Sequence, residues 1–189
     1  LIDNGHSAVA NRKLTNAVDE SMPDPFYFHE LGLIKTINAS ALFSNYPKDR
    51  PTLEPMLRNY LGLTGAQRTR PLAAAIFTDI EASIDFTVGH VFEPDEDTGR
   101  PDRIDDNHML PWPLIPTTLK EPFEIWEQQP SGKSNQKGWA FLGCYFLEGR
   151  IFYHEVWVNR KRFVRSSYEL NGRGQALGKR RGIPIYTAY

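Results

Sequence analysis

The chain has 189 residues, 40% of them apolar and 24% charged, with a formal net charge of −1 at neutral pH. That length suffices for a real hydrophobic core, the composition is that of a globular protein, and no apolar run reaches the about 18 residues that a membrane span needs. A single cysteine, Cys144, rules out an internal disulfide and a cysteine-built zinc site. It lies in the apolar run 139–147 without a basic setting, so a buried structural thiol is expected. The first residue is Leu1 and no signal segment follows. The expectation is a piece of a longer polypeptide, such as a C-terminal domain, or a processed chain.

Charge is divided unevenly. Residues 1–130 carry 11 Lys+Arg and 20 Asp+Glu, a balance of −9, while residues 131–189 carry 11 and 3, a balance of +8. The basic half is expected to meet a polyanion or the acidic half.

In chain order, residues 6–20 carry a thin helical stripe ended by the Ser21–Pro25 break. Residues 26–37 mix aromatic and branched residues around Gly32, and helix and strand both remain open. The stretch 47–51 reads as a loop. Thr52 reads as an N-cap for a helix with Leu53, Met56, Leu57 and Tyr60 on one face, closed by Gly62 and Gly65. Residues 66–84 give the strongest helical pattern, with Leu72, Ile76, Ile80 and Ile84 at four-residue steps. Pro71 falls near the first turn of that expected helix.

The period then changes. Residues 84–91 read as a strand, 93–107 as an acidic loop with seven carboxylates, and 110–116 as an extended proline-rich segment. One helical turn capped by Thr117 is expected before Pro122. Strands follow at 123–128, 139–147, 151–158 and 162–170. Glu148-Gly149-Arg150 forms a hairpin connection. Residues 171–182 read as a Gly- and Arg-rich loop, and 183–189 as an edge strand that tolerates Pro184. The fold class is thus α+β: a helical N-terminal region (1–83), then a basic domain (84–189) with a small antiparallel sheet of four to five strands.

Five histidines are available. His108 ends the acidic loop beside Asp105 and Asp106, where a carboxylate favours imidazolium or fixes a tautomer, as general acid–base work near neutrality requires. His90, at a strand end, is a second candidate base. His154, in mid-strand, either faces a cleft or is packed. The acidic loop lacks EF-hand spacing and reads as solvated rather than metal-binding, so no metal and no cofactor are expected. Eight basic residues lie within positions 160–181, with Glu169 the one acidic residue among them. Alternation places Arg165, Ser167 and Glu169 on one strand face, and Val164, Ser166 and Tyr168 on the other. An arginine with a hydroxyl two residues on suits a phosphate. Arg160, Lys161, Arg162, Lys179, Arg180 and Arg181 are the expected nucleic-acid contacts, the last three as a mobile glycine-flanked loop.

The stretch 114–126 (Leu-Ile-Pro-Thr-Thr-Leu-Lys-Glu-Pro-Phe-Glu-Ile-Trp), followed by aromatic strands and a late Ser-Tyr, resembles the phage-associated branch of the barnase, EndoU, colicin and RelE-like ribonuclease toxin superfamily. The resemblance covers roughly residues 84–189. It implies a helix-plus-sheet fold and metal-independent RNA cleavage, in which the 2′-hydroxyl attacks the neighbouring phosphate and leaves a cyclic phosphate. It implies that His108 is base or acid, that Arg165 and Ser167 hold the phosphate, and that Tyr186 or Arg180 assists; for Glu124, early in its strand, a structural role stays open. The partners implied are RNA and an immunity or antitoxin protein, with no membrane and a cytoplasmic site of action. Two other classes stay open. One is an ADP-ribosyltransferase toxin, for which Arg165-Ser-Ser-Tyr-Glu169 offers a compressed motif. The other is a non-catalytic RNA-binding or phage structural module.

Overall fold

The computed structural model describes residues 25–76, 84–87, 106–128 and 137–188. His90 and the acidic stretch 93–105 lie outside the described residues, as do residues 6–20. The architecture is α+β, built on a six-stranded, mainly antiparallel sheet.

The chain enters through α1 (Pro25–Glu30) and turns at Gly32, whose φ of 71° suits glycine. It continues into β1 (Lys35–Ile37), so the ambiguous segment 26–37 contains both a helix and a strand. Helix α2 (Arg50–Tyr60) begins earlier than the sequence suggests. Its N-cap is Asp49, whose carboxylate accepts from the Thr52 amide at 2.9 Å. Thr52 is therefore the capped residue and not the cap, and Pro51 occupies the first turn, where a missing N–H costs nothing. The helix closes as expected at Gly62: Gly62 N–H donates to Asn59 O and Leu63 N–H to Arg58 O, the paired bonds of a Schellman end. Leu53 and Leu57 are fully buried.

The helix expected over 66–84 does not form at its start. Residues 69–72 are strand β2 (Thr69–Leu72), paired antiparallel with β3 (Ile84–Thr87). Leu72 and Ala74 pack into the core with α2 and the sheet, and tertiary packing here overrides a local periodicity. Pro71, benign in a first helical turn, sits instead in this two-stranded ribbon, where every strand is an edge. The segment expected to be extended before Pro122 is also helical. After α3 (Asp106–Met109), a 3₁₀ turn at Trp112–Leu114 leads into α4 (Ile115–Lys120). Helix α4 begins at Ile115 with Pro116 in its first turn, so Thr117 lies inside the helix and is not its cap, and Thr118 is buried.

The main sheet contains β4 (Glu124–Gln128), β5 (Gly138–Leu147), β6 (Arg150–Asn159), β7 (Val164–Leu170) and β8 (Ile183–Thr187). Its order is β7-β6-β5-β4-β8, and β1 runs parallel to the far end of β5. The β5–β6 hairpin turns through Glu148 (φ 46°) and Gly149 (φ 84°), the two left-handed residues of a type I′ connection. Its long apolar strands form the centre of the sheet. β8 lies at the outer edge, which accommodates Pro184.

Both faces of the sheet are covered. One carries Phe141, Val156, Val158 and Ile125 against α2, α4, Met109 and Trp112. The other carries Trp126, Ala140, Leu142, Cys144 and Tyr153 against Phe28 of α1 and Ala176 and Leu177 of α5 (Gly172–Lys179). α5 replaces the loop expected over 171–182. It presents Arg173, Ala176, Leu177 and Arg180 towards the sheet at helical spacing, and these residues line one cleft. No described helix is long and apolar enough to cross a membrane.

Candidate functional site

The register places residues of four strands in one transverse row. Glu124 on β4 faces Leu142 on β5, Leu142 faces Glu155 on β6, and Glu155 faces Tyr168 on β7. Two carboxylates thus lie on one face of the sheet with a leucine between them, beneath the C-terminal end of α5. Both are buried, with side-chain exposures of 1% for Glu124 and 2% for Glu155. A buried carboxylate needs a partner, and two consecutive residues of α5 and its cap supply them. Arg180 Nε donates to Glu124 Oε2 at 2.7 Å, and Trp126 Nε1 donates to the same oxygen at 2.8 Å. Lys179 Nζ lies 3.0 Å from Glu155 Oε2. That second contact has ion-pair distance but not hydrogen-bond geometry, since Glu155 Oε2 has no aligned donor.

The two pairs differ in access. Arg180 is 5% exposed and sealed, whereas Lys179 is 31% exposed. Lys179 Nζ also stands 4.5 Å from the Tyr168 ring centroid, and the His108 ring stacks near the same ring at 5.7 Å and 24°. A continuous run therefore leads from the half-buried His108 through Tyr168 and Lys179 to Glu155. Burial pushes the Glu155 carboxyl above its ordinary range, and the charges of Lys179 and then Arg181 pull it part of the way back. A carboxylate held in this way is poised to accept a proton nearer neutrality than a solvated one.

Asp106 does not serve His108 as expected: its carboxylate instead accepts from the Tyr46 hydroxyl and from Lys48. These contacts, with the Phe43 N–H to Leu110 O bond of 3.0 Å, anchor the one-turn helix that carries His108.

The opposite face of β6 holds a second polar chain. Thr118 Oγ1 lies 2.6 Å from the Tyr145 hydroxyl and 2.8 Å from His154 Nδ1, and His154 Nε2 lies 2.8 Å from Ser167 Oγ. A neutral imidazole satisfies this chain in either direction, one ring nitrogen donating and the other accepting. Burial alone drives His154 down to about 3, because no carboxylate joins the chain. Gly143 makes room for it: a Cβ there would stand 2.7 Å from the Tyr145 ring and 2.9 Å from Thr118 Oγ1.

The residues singled out from the sequence are distributed as follows. His108 lies at the β7 edge, in a helical turn rather than a loop. Ser167 is buried and bonded to His154 on the face opposite Glu155. Arg165, half-buried on β7, occupies a bulge: Trp157 faces Ser166 and Val158 faces Val164, which leaves Arg165 as the extra residue. The bulge breaks the expected alternation, since Val164 packs into the same core face as Val156 and not with Ser166. Tyr186 is exposed on β8, at the other edge of the sheet. Four strand steps of about 4.8 Å separate it from β7, so Tyr186 does not join His108, Arg165 and Ser167.

Among the expected nucleic-acid contacts, Arg160 pairs with Glu127 and lies 4.6 Å above the Trp139 ring, Lys179 with Glu155, and Arg180 with Glu124. Lys179 is the last residue of α5 and Arg180 its cap, with Arg181 directly after it, so this segment begins in a helix and not in a free loop. Arg181, Lys161 and Arg162 are exposed, Arg162 with a φ of 65°. Cys144 is buried, and its thiol is pushed up by burial and by the charge of Glu124.

Sequence reasoning passed over Glu155. The signal was available: a lone carboxylate inside the apolar strand Ile-Phe-Tyr-His-Glu-Val-Trp-Val requires a buried cation. No group of three or more His, Cys, Asp and Glu side chains converges among the described residues. No known protein family, curated protein or solved structure matches the chain significantly.

Proposed function

We propose that the sheet domain is an endoribonuclease that cleaves RNA by 2′-hydroxyl attack, without a metal ion, and that the reaction runs along the His108–Tyr168–Lys179–Glu155 edge. The observation that carries the reading is Glu155: a buried carboxyl with raised proton affinity, covered by one partly exposed lysine. A substrate phosphate competes with Glu155 for the Lys179 ammonium. When the phosphate takes Lys179, the carboxylate is uncovered and loses its counter-charge, which strengthens it as a base.

Glu155 then takes the 2′-hydroxyl proton, the 2′-oxygen bonds to phosphorus, and the bond from phosphorus to the 5′-oxygen breaks. His108, as imidazolium, gives its proton to the leaving oxygen. The products are a 2′,3′-cyclic phosphate and a free 5′-hydroxyl. Lys179, with Arg181 beside it, balances the charge that develops on the phosphoryl oxygens. Tyr168 offers a ring on which a base can stack. Ser167 and Tyr186 have no part in this arrangement, and Arg165 is left a phosphate contact along the β7 edge. On this reading an immunity protein would have to cover the same edge.

The test is incubation of the protein with total RNA, with and without EDTA, resolved on a denaturing gel. EDTA-resistant fragments with cyclic-phosphate ends are expected, and Glu155→Gln and His108→Ala should each slow their appearance by about 10²–10⁴-fold. Full activity in Glu155→Gln overturns the assignment. Intact RNA that is bound in a salt-sensitive way moves the protein to the RNA-binding class. Consumption of NAD moves it to the transferase class.

A further inference from the structure

Lys179 reaches Glu155 from the last residue of α5, and what fixes that residue lies outside the run just described. Gln128, the last residue of β4, donates from Nε2 to the Lys179 carbonyl oxygen at 3.2 Å. Its Oε1 accepts from Trp157 Nε1 at 2.9 Å. Both ends of the amide are therefore used, and Trp157 sets which way it points. Gly138 leaves the indole its place: a Cβ there would stand 2.7 Å from Trp157 Cζ2 and 2.3 Å from Val158 O. The chain beyond Lys179 is pressed onto the same strand end. Gly182 has a φ of 93°, and a Cβ on it would lie 2.0 Å from Glu127 O.

We propose that Gln128, oriented by Trp157, is a positioning residue that holds the Lys179 backbone so that its ammonium spans Glu155 and Tyr168. The inference rests on the ribonuclease reading for its consequence in catalysis, but not for its geometry. Gly178 gives the last turn of α5 little rigidity of its own. The Gln128 amide ties the Lys179 carbonyl to the end of β4, beside the Arg180–Glu124 pair that holds the cap.

The groups that face Glu155 are Lys179 and Arg181 from the α5 end, Tyr168 from β7, and, beyond Leu142, the Glu124–Arg180 pair. Lys179 lowers the proton affinity of Glu155, so displacing it must raise that affinity. The readout is the titration of the Glu155 side-chain carboxyl carbon by NMR in the full chain, with Glu155→Gln assigning the resonance. Lys179→Met should move the midpoint up by about one pH unit, and Gln128→Leu by about half of that. In the Lys179→Met background, Gln128→Leu should add nothing, because its whole effect passes through the lysine. Trp157→Phe, which keeps the ring and removes the donor, should shift the midpoint in the same direction and serves if Gln128→Leu does not fold.

If the protein cleaves RNA, the acid limb of kcat/KM should move up by the same amount in Gln128→Leu. A midpoint that stays within about 0.1 unit of the wild type, or a shift that persists without Lys179, overturns the inference. Absence of RNA cleavage in the wild type would overturn the ribonuclease reading alone, since the titration decides the positioning role by itself.

Discussion

His154 and Glu155 are adjacent residues of one central strand, both fully buried, and the two faces of the sheet treat them in opposite ways. His154 has neutral hydroxyl partners on both ring nitrogens, and burial drives it to about 3. Glu155 has one cation at ion-pair distance, Lys179, partly open to solvent, and burial raises it. A closed chain of neutral hydrogen bonds fixes a helix to three strands and leaves nothing for a ligand to exchange. A charge pair with one exposed member can be opened by another anion. For this reason the Ser167–His154 contact reads as architecture despite its likeness to a nucleophile–base pair, and the proposed chemistry is placed on Glu155.

The largest effect tests whether the second carboxylate on the Glu155 face is architecture. Arg180→Leu leaves Glu124 buried with its guanidinium removed, and should cost about 3–5 kcal/mol of unfolding free energy by urea denaturation. Glu124→Gln added to that variant should recover much of the loss, because the uncompensated charge is gone. Lys179→Met should cost less, since a lysine that is 31% exposed contributes less to its pair than the sealed Arg180 and the buried Glu155, whose proton affinity burial raises, can take up a proton in place of the cation. Equal losses for the two cations would erase the distinction between a sealed pair and an exchangeable one.

Next in size is the pH dependence of stability, where the two neighbours pull in opposite directions. The folded-state affinity of His154 lies below its unfolded value of 6.5. Its contribution is therefore fully present above about pH 6.5 and is lost as pH falls towards about 3, at up to about 1.4 kcal/mol per unit. Glu155 is raised above its unfolded 4.5, so its contribution is greatest below that value and declines as pH rises through the folded one. His154→Gln keeps neutral hydrogen bonding and removes the titration. It should flatten the fall in stability between pH 6 and about 4, and an unchanged slope would place the acid sensitivity elsewhere.

Much of the sheet was legible in the sequence, and much of the site was not. The strands at 123–128, 139–147 and 151–158 announce themselves by apolar runs, and Glu148-Gly149 by its turn chemistry, because those signals are local. Helix α5 is not legible, because three of its eight residues are glycine; it forms where Ala176 and Leu177 find a sheet to cover. The pattern at 66–84 misleads at its start, where Leu72 satisfies its burial from a strand. His108 was singled out from its own chemistry. Its neighbours were not, since the Glu124–Leu142–Glu155–Tyr168 row exists only once register is fixed, and the Arg165 bulge shifts that register from strict alternation.

The smallest predicted effect sharpens the comparison from outside the core. Arg160 pairs with Glu127 and lies over Trp139, with 42% of its side chain exposed. An exposed pair of this kind is worth about 0–1 kcal/mol, and salt screens it. Arg160→Ala should therefore shift the urea midpoint only slightly, and less so as salt is raised. If Arg160 also touches RNA phosphate, the same substitution should weaken RNA binding and reduce its salt dependence by about one counterion. The turn at 160–162 would then extend the nucleic-acid surface beyond the His108 edge. Unchanged RNA affinity would confine the proposed surface to the Lys179 side of the sheet, where the cation that is partly exposed is also the one that covers the Glu155 carboxylate.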